Sequence, residues 1–163
     1  MTRLDTVIER LKAQRSCLNA AASMLRGREG HILELGLGNG RTYDHLRHLF
    51  PVQDIYVFDK EVASHPDCRP DEAHLFLGRM PETLFDAARR LGPNAILVHA
   101  DIGYGDAAST ARNVALLGPV IPTLMLPGGF AICDQSLDGV AGLTPAPLPA
   151  DVAPGRYHFY RRD

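Results

Sequence analysis

The sequence has few cysteines and no long apolar run. Its three cysteines, Cys17, Cys68 and Cys133, are widely spaced and form no C-x-x-C pair, which is typical of a reduced intracellular protein rather than a disulfide scaffold. No stretch approaches the roughly 20 apolar residues of a membrane span. The start of the chain lacks the apolar core and cleavage site of a secretory signal. We therefore expect a cytoplasmic protein that does not enter a membrane.

An excess of positive charge is also missing. The 163 residues include 17 Lys and Arg against 19 Asp and Glu, for a formal net charge of −2. Nucleic-acid binding is largely electrostatic, so this balance argues against nucleic acid as the main partner. The length fits one domain with a proper core, and no internal repeat is visible.

The most informative segment that is present is Glu34–Gly40, with the sequence ELGLGNG. It follows a short apolar run and precedes a helical pattern. Its three alternate glycines allow a tight turn and a close approach of the backbone to a ligand. Such a turn between a strand and a helix is typical of a cofactor site.

The spacing of these glycines separates two cofactor classes. The dinucleotide fingerprint is G-x-G-x-x-G, but here Gly40 comes one residue early and Arg41 takes the sixth position. A pyrophosphate needs unobstructed N–H groups at the start of the helix. The bulky arginine therefore disfavours a nicotinamide-dependent oxidoreductase, which remains the least favoured alternative.

Two later segments are also typical of a cofactor-binding α/β sheet. Asp54–Glu61 (DIYVFDKE) is rich in β-formers and ends in acid, so Asp59 is placed to accept hydrogen bonds from ribose hydroxyls. In Leu124–Asp134 (LMLPGGFAICD), we expect a helix that stops at Pro127, a glycine turn and then a buried strand.

Taken in this order, the three segments resemble the class I S-adenosylmethionine-dependent methyltransferases, whose motif I has the pattern E-x-G-x-G-x-G. The resemblance covers roughly residues 30–135. It implies S-adenosylmethionine as cofactor and in-line methyl transfer to a small or medium-sized acceptor. A binding module for S-adenosylmethionine or S-adenosylhomocysteine without its own catalysis is the second hypothesis, because neither a compelling base nor a substrate domain is evident.

The alternation of strand and helix patterns predicts an α/β fold with a doubly wound, mostly parallel sheet, and the resemblance makes it Rossmann-like. We expect one domain of residues 1–163, made of an N-terminal helix (1–28), a cofactor-binding core (30–135) and a Pro-rich tail with a terminal strand (136–163). The last strand is expected antiparallel beside the fifth. Few residues remain for seven full strands, so one is expected to be short or missing.

Residues 3–26 predict an amphipathic helix in which Arg10 is among the residues that face away from the core. Its apolar stripe fits packing within the chain or a homodimer contact, with packing as the default. The stripe consists of Leu4, Val7, Ile8, Leu11, Leu18, Ala21, Ala22 and Leu25.

Ligands of open α/β sheets lie at the carboxyl ends of the strands, and the resemblance assigns cofactor contacts there. Glu34 is expected to order the turn and to help receive the cofactor's ammonium group, or else to be a strand-end acid satisfied by backbone. The alternative interpretation of Arg41 and Lys60 is a solvated surface cation. For Met80 it is ordinary core packing. The full expected set is Glu34, Gly36, Leu37, Gly38, Asn39, Gly40, Arg41, Thr42, Asp59, Lys60, Gly78, Arg79, Met80, Asp101 and Ile102.

A general base is needed only if the acceptor carries a proton that must leave. Asp101, which follows the predicted fourth strand, is the first candidate, and Tyr104 and His99 come after it. The alternative for Asp101 is an acid that contacts the cofactor or caps a helix without moving a proton. His99 lies within the strand and fits a hydrogen-bonded core residue better than a catalyst.

We expect no metal. Asp101 and Asp134 end neighbouring strands, as do the acids of divalent-metal-dependent O-methyltransferases, but Gln135 stands where the third ligand, an asparagine, is usual. Asp44 and His48 have metal-binding spacing on a helix, for which an exposed face is the commoner explanation. The acceptor and its target atom are not fixed by the sequence.

Overall fold

The computed structural model describes residues 2–103 and 105–163. In these residues a seven-stranded sheet is covered by helices. The helices are α1 (Arg3–Met24), α2 (Arg41–Leu49), α3 (Glu82–Leu91) and α4 (Ala107–Leu117). The strands are β1 (His31–Leu35), β2 (Ile55–Asp59), β3 (Leu75–Leu77), β4 (Ala95–Ala100), β5 (Met125–Cys133), β6 (Leu143–Pro145) and β7 (His158–Arg162). Short 3₁₀ turns occupy Pro66–Cys68, Glu72–His74 and Ile121–Leu124.

The strand order is β3-β2-β1-β4-β5-β7-β6, and the first five strands are parallel. One apolar layer packs α1, α2 and the tail against the sheet, and a second layer packs α3 and α4 against the opposite face. The predicted doubly wound α/β fold is therefore confirmed. The predicted antiparallel pairing of the last strand with the fifth is also confirmed, with Ala131 opposite Tyr160.

All seven strands form, so a missing strand is ruled out, although β3 and β6 have only three residues each. The additional strand β6 lies in the Pro-rich tail, where only the terminal strand was expected. It pairs antiparallel with β7 at the edge of the sheet. Pro145 is tolerated there because an edge strand needs hydrogen bonds on one side only.

The Pro127-Gly128-Gly129 segment lies inside β5, so the predicted helix stop and turn at this point are wrong. Ala95 pairs with Met125 and Leu97 with Phe130, which leaves extra residues of β5 in a bulge. A Cβ on Gly129 would come within 2.9 Å of the Ile96 carbonyl oxygen. The glycine thus serves close backbone packing rather than a turn.

Thr2 caps the start of helix α1 and forms a capping box with Asp5. Only the second half of the helix's predicted apolar stripe is buried: Leu18 is 1% exposed, whereas Leu4 is 68% exposed. The first half of the helix therefore projects from the core near the carboxyl edge of the sheet. No helix in the described ranges is long and apolar enough to cross a membrane.

Candidate functional site

A cavity of about 710 Å³ opens where β1, β2, β3 and β4 end. All but two of the predicted cofactor contacts line it, although they come from four separate segments of the chain. Its volume is in the range of small-molecule sites. The predicted residues in its wall are Gly36, Leu37, Gly38, Asn39, Arg41, Thr42, Asp59, Lys60, Gly78, Arg79, Met80, Asp101 and Ile102.

The glycine loop needs its glycines for different reasons. Gly36 has φ +95°, and a Cβ there would come within 2.8 Å of the Asp101 carbonyl oxygen. Gly40 has φ +84°, precedes α2, and leaves room for Cys68, whose Cβ would lie 2.5 Å from a Cβ at position 40. Gly40 is thus one of the two predicted contacts outside the cavity wall, and it supports the loop from behind.

Asp59 fastens this loop to the end of β2. Its Oδ2 accepts the backbone N–H groups of Leu37 and Gly38 at 2.8 and 3.1 Å. Its Oδ1 accepts the N–H of Lys60 at 2.7 Å. The carboxylate therefore shapes the cavity wall in addition to lining it, a role that the predicted ribose contact did not include.

Helix α1 supplies a wall of the cavity that the sequence pattern did not predict. Arg10, Leu11 and Gln14 all line the cavity. Arg10, which was expected to face away, donates a hydrogen bond from Nη1 to Asp101 Oδ2 at 3.1 Å. That expectation was wrong because α1 extends beyond the sheet edge, so its polar face meets the strand ends rather than solvent. Arg10 and Gln14 are four positions apart and therefore lie on the same side of the helix; this spacing was the available signal.

Behind the cavity lies a buried polar cluster of Glu34, His99, Tyr157 and Gln14. His99 Nδ1 lies 2.6 Å from Glu34 Oε2, and His99 Nε2 lies 2.6 Å from the Tyr157 hydroxyl. Gln14 donates to the Tyr157 hydroxyl at 2.9 Å. The cluster joins β1, β4, α1 and the tail, so it fixes α1 against the sheet.

Glu34 is the second predicted contact outside the cavity wall. It is fully buried, and its Oε1 has no hydrogen-bond partner in the part of the chain that the structure describes. Burial raises the pKa of its carboxyl, and His99 opposes this shift in part. Burial lowers the pKa of His99, but the nearby carboxylates of Glu34, Asp101 and Asp134 together outweigh it, so the pKa of His99 lies above its ordinary value.

A family model described as S-adenosyl-L-methionine methyltransferase matches residues 1–162. The chain belongs to this family. It is therefore an S-adenosylmethionine-dependent methyltransferase, as the resemblance implied, and the nicotinamide alternative is set aside.

One solved structure agrees with this assignment, and two more distant ones share the fold. The chain is 42% identical to an S-adenosyl-L-methionine methyltransferase from Silicibacter pomeroyi DSS-3, with a TM-score of 0.93 and 99% of each chain covered. The MycE methyltransferase of the mycinamycin biosynthetic pathway, in complex with Mg and S-adenosylhomocysteine, is 17% identical with a TM-score of 0.58, covering 99% of this chain and 49% of that one. The antibiotic-resistance methyltransferase Kmr is 14% identical with a TM-score of 0.54, covering 91% and 92%. A search of curated proteins found no match.

The structure separates the candidates for a general base in this methyltransferase. His99 is fully buried in the polar cluster and does not line the cavity, whereas Asp101 does. Tyr104 lies outside the described residues. Asp106 caps α4 by accepting the N–H of Ser109, so Asp101 is not that cap.

Asp134 shapes the segment that follows β4. It accepts the N–H groups of Ile102 and Gly103 at 2.9 and 3.0 Å and a bond from Gln135 Nε2 at 2.9 Å. Burial raises the pKa of its carboxyl, and the bond from Gln135 opposes the shift. Across residues 2–103 and 105–163, no three His, Cys, Asp or Glu side chains are grouped as a metal site.

Proposed function

We propose that this methyltransferase holds S-adenosylmethionine in the 710 Å³ cavity and transfers its methyl group to a small or medium-sized acceptor. The convergence of four predicted segments on one cavity supports this assignment. The methionine portion lies along Gly36–Thr42, the ribose beside Asp59, and the adenine against Gly78–Met80. The sulfonium then faces the end of β4, at Asp101.

Charge supports this orientation. The first turn of α2 lines the cavity through Arg41 and Thr42, so the positive end of the helix dipole and a guanidinium meet the cofactor carboxylate. At the other end, Asp101 presents a carboxylate toward the positive sulfonium. Glu61, which also lines the cavity, adds a second acid on the side of the ribose.

Methyl transfer mainly requires that the acceptor and the cofactor be placed in line. The acceptor's lone pair forms a bond to the methyl carbon as the carbon–sulfur bond breaks, and that electron pair stays on sulfur as the thioether of S-adenosylhomocysteine. Positioning the two reactants can be worth about 7–11 kcal/mol at best. If the acceptor carries a proton, Asp101 is the side chain in the cavity placed to take it; otherwise Asp101 only attracts the sulfonium.

We also propose that residues 1–163 act as one domain and that two copies associate through the start of α1. Leu4, Val7 and Ile8 there are 68%, 45% and 39% exposed and share one face of the helix, so they form an apolar patch that a second copy would cover. Light scattering on the wild type and on Leu4→Lys tests the dimer. A monomeric wild type overturns it.

Isothermal titration with S-adenosylhomocysteine and NAD tests the cofactor site. We expect S-adenosylhomocysteine to bind and NAD not to. Asp59→Asn removes the charge of the carboxylate that holds the loop, so the affinity of this variant for S-adenosylhomocysteine falls about tenfold or more. Asp54→Asn at the opposite end of β2 is the matched control and leaves the affinity unchanged.

Binding of NAD in place of S-adenosylhomocysteine overturns the cofactor assignment. Catalysis is tested with methyl-labelled S-adenosylmethionine and a broad panel of acceptors. Label that never leaves the bound cofactor favours the second hypothesis, a binding module without catalysis.

A further inference from the structure

A second, smaller cavity lies between α1 and α2. Its volume is about 360 Å³, which suits a small molecule. Leu11, Gln14, Arg41 and Thr42 line both this groove and the cofactor cavity, so the two adjoin along these side chains. We call it the α1–α2 groove; it is lined by Ile8, Leu11, Lys12, Gln14, Arg15, Leu18, Arg41, Thr42 and His45.

The lining of the α1–α2 groove combines an apolar wall with positive charge. Ile8, Leu11 and Leu18 form the apolar part, and no carboxylate lines the groove. Lys12 is paired with Glu9 at 2.9 Å. By contrast, Arg15 has no carboxylate partner within residues 2–103 and 105–163 and does not line the cofactor cavity, so its guanidinium is available to an anion.

The neighbouring histidine is affected by the same positive charge. His45 lies at the rim of the groove, where its Nε2 is 2.9 Å from Asn19 Oδ1. Burial lowers the pKa of His45, and the charges of His48 and Arg15 lower it further. Because cationic side chains and no carboxylate line it, the groove favours a negative group over a positive one.

We propose that the α1–α2 groove is the acceptor subsite and that it takes a small, largely apolar anion such as an aromatic carboxylate. This inference rests on the proposed function. The carboxylate meets Arg15, the apolar body covers Ile8 and Leu18, and the end to be methylated enters the cofactor cavity beside Leu11. The small volume and the apolar wall disfavour a nucleic-acid backbone, which would need a longer, polar surface.

Two probes of the same shape and opposite charge test the subsite. 2-Naphthoate and 2-naphthylmethylammonium are titrated into the protein with and without saturating S-adenosylhomocysteine. We expect naphthoate to bind roughly three- to tenfold more tightly than the ammonium. Arg15→Gln weakens naphthoate several-fold, and Arg15→Glu reverses the preference. Arg3→Gln, on the same helix but outside the groove, changes neither affinity.

The results separate this inference from the cofactor assignment. Since Arg15 does not line the cofactor cavity, S-adenosylhomocysteine binds Arg15→Gln and the wild type equally. If S-adenosylhomocysteine binds but the two probes bind alike, the subsite is wrong and the cofactor site stands. If S-adenosylhomocysteine fails to bind, the cofactor assignment falls, while the titrations without it still decide the charge preference. A single-stranded RNA decamer that binds in an Arg15-dependent way, with no naphthoate binding, also overturns the subsite.

Discussion

The guanidinium of Arg10 lies 3.1 Å from the carboxylate of Asp101, which is 91 positions away in the sequence, at the wall of the cofactor cavity. The two side chains are 41% and 36% exposed. Solvent screens a pair of this exposure, so it adds little to stability. Its consequence is electrostatic, because Arg10 offsets the negative charge that Asp101 brings to the end of β4.

This ion pair predicts that substitutions of its two members change the preference between two ligands in opposite directions. S-Adenosylmethionine carries the sulfonium charge and S-adenosylhomocysteine does not, so their affinity ratio reports the field at that point. Asp101→Asn lowers the preference for S-adenosylmethionine about two- to tenfold, and Arg10→Gln raises it by a similar factor. Calorimetry with both ligands measures the ratio.

The control for that experiment is Glu9→Gln, on α1 but outside the cavity wall, which leaves the ratio unchanged. Thermal unfolding confirms that the variants remain folded. A shift of the ratio in the same direction for Arg10→Gln and Asp101→Asn would show that the sulfonium is not near the pair.

The parts of the site that follow local patterns were predictable. The glycine spacing of Glu34–Gly40 and the acid that ends β2 identify the loop and Asp59 because a tight turn and a strand end are set by neighbouring residues. Arg10 and Gln14 were missed for a different reason. Helical periodicity tells which residues share a face, but not that the start of α1 overlies the sheet edge.

In the fold, too, features set by local patterns were predictable and features set by tertiary contacts were not. Alternating strand and helix patterns gave the doubly wound sheet, since each element buries its own apolar face. Strand β6 and the bulge in β5 could not be found this way. Both depend on which backbone lies alongside, and glycine and proline look like turn residues wherever they occur.

Loss of the buried acid is expected to destabilise the protein strongly. Glu34→Ala leaves His99 without its partner at 2.6 Å and costs about 3–5 kcal/mol of the free energy of unfolding. Glu34→Gln costs less, because its amide oxygen still accepts from the ring. Urea denaturation measures both, and Glu29→Ala, an exposed acid, stays within about 0.5 kcal/mol of the wild type. Equal stability of Glu34→Ala and Glu29→Ala would contradict the role of the cluster.

The histidine that precedes β3 is expected to make stability depend on pH. His74 Nδ1 lies 2.8 Å from Asp71 Oδ1 and Nε2 lies 3.2 Å from Asp54 Oδ1. The hydrogen bond to Asp71 raises the pKa of His74 above its ordinary value, and burial opposes the shift in part. Its stabilising contribution is therefore complete below about pH 6.5 and is lost as the pH rises through the higher folded value.

His74→Gln consequently lowers the urea midpoint near pH 5.5 and has little effect near pH 8.5. The exposed His48→Gln on α2 serves as the control at both pH values. A loss that is as large near pH 8.5 as near pH 5.5 would mean that the ring acts through packing on Tyr56, whose ring centre is 5.1 Å away, rather than through charge.

Two glycine-to-alanine changes are expected to differ in their effect on stability. In the bulge of β5, a Cβ on Gly129 would meet the carbonyl oxygens of Ile96, Leu126 and Ala95 at 2.9, 3.0 and 3.2 Å, and these belong to backbone that cannot easily move. Gly129→Ala therefore costs about 1–3 kcal/mol. A Cβ on Gly105 would meet nothing within 4 Å, so Gly105→Ala is neutral or stabilising by up to about 1 kcal/mol, because it restricts the unfolded chain. Urea denaturation of both variants measures the difference, and a Gly129→Ala protein as stable as the wild type would show that β4 and β5 approach less closely than this geometry requires.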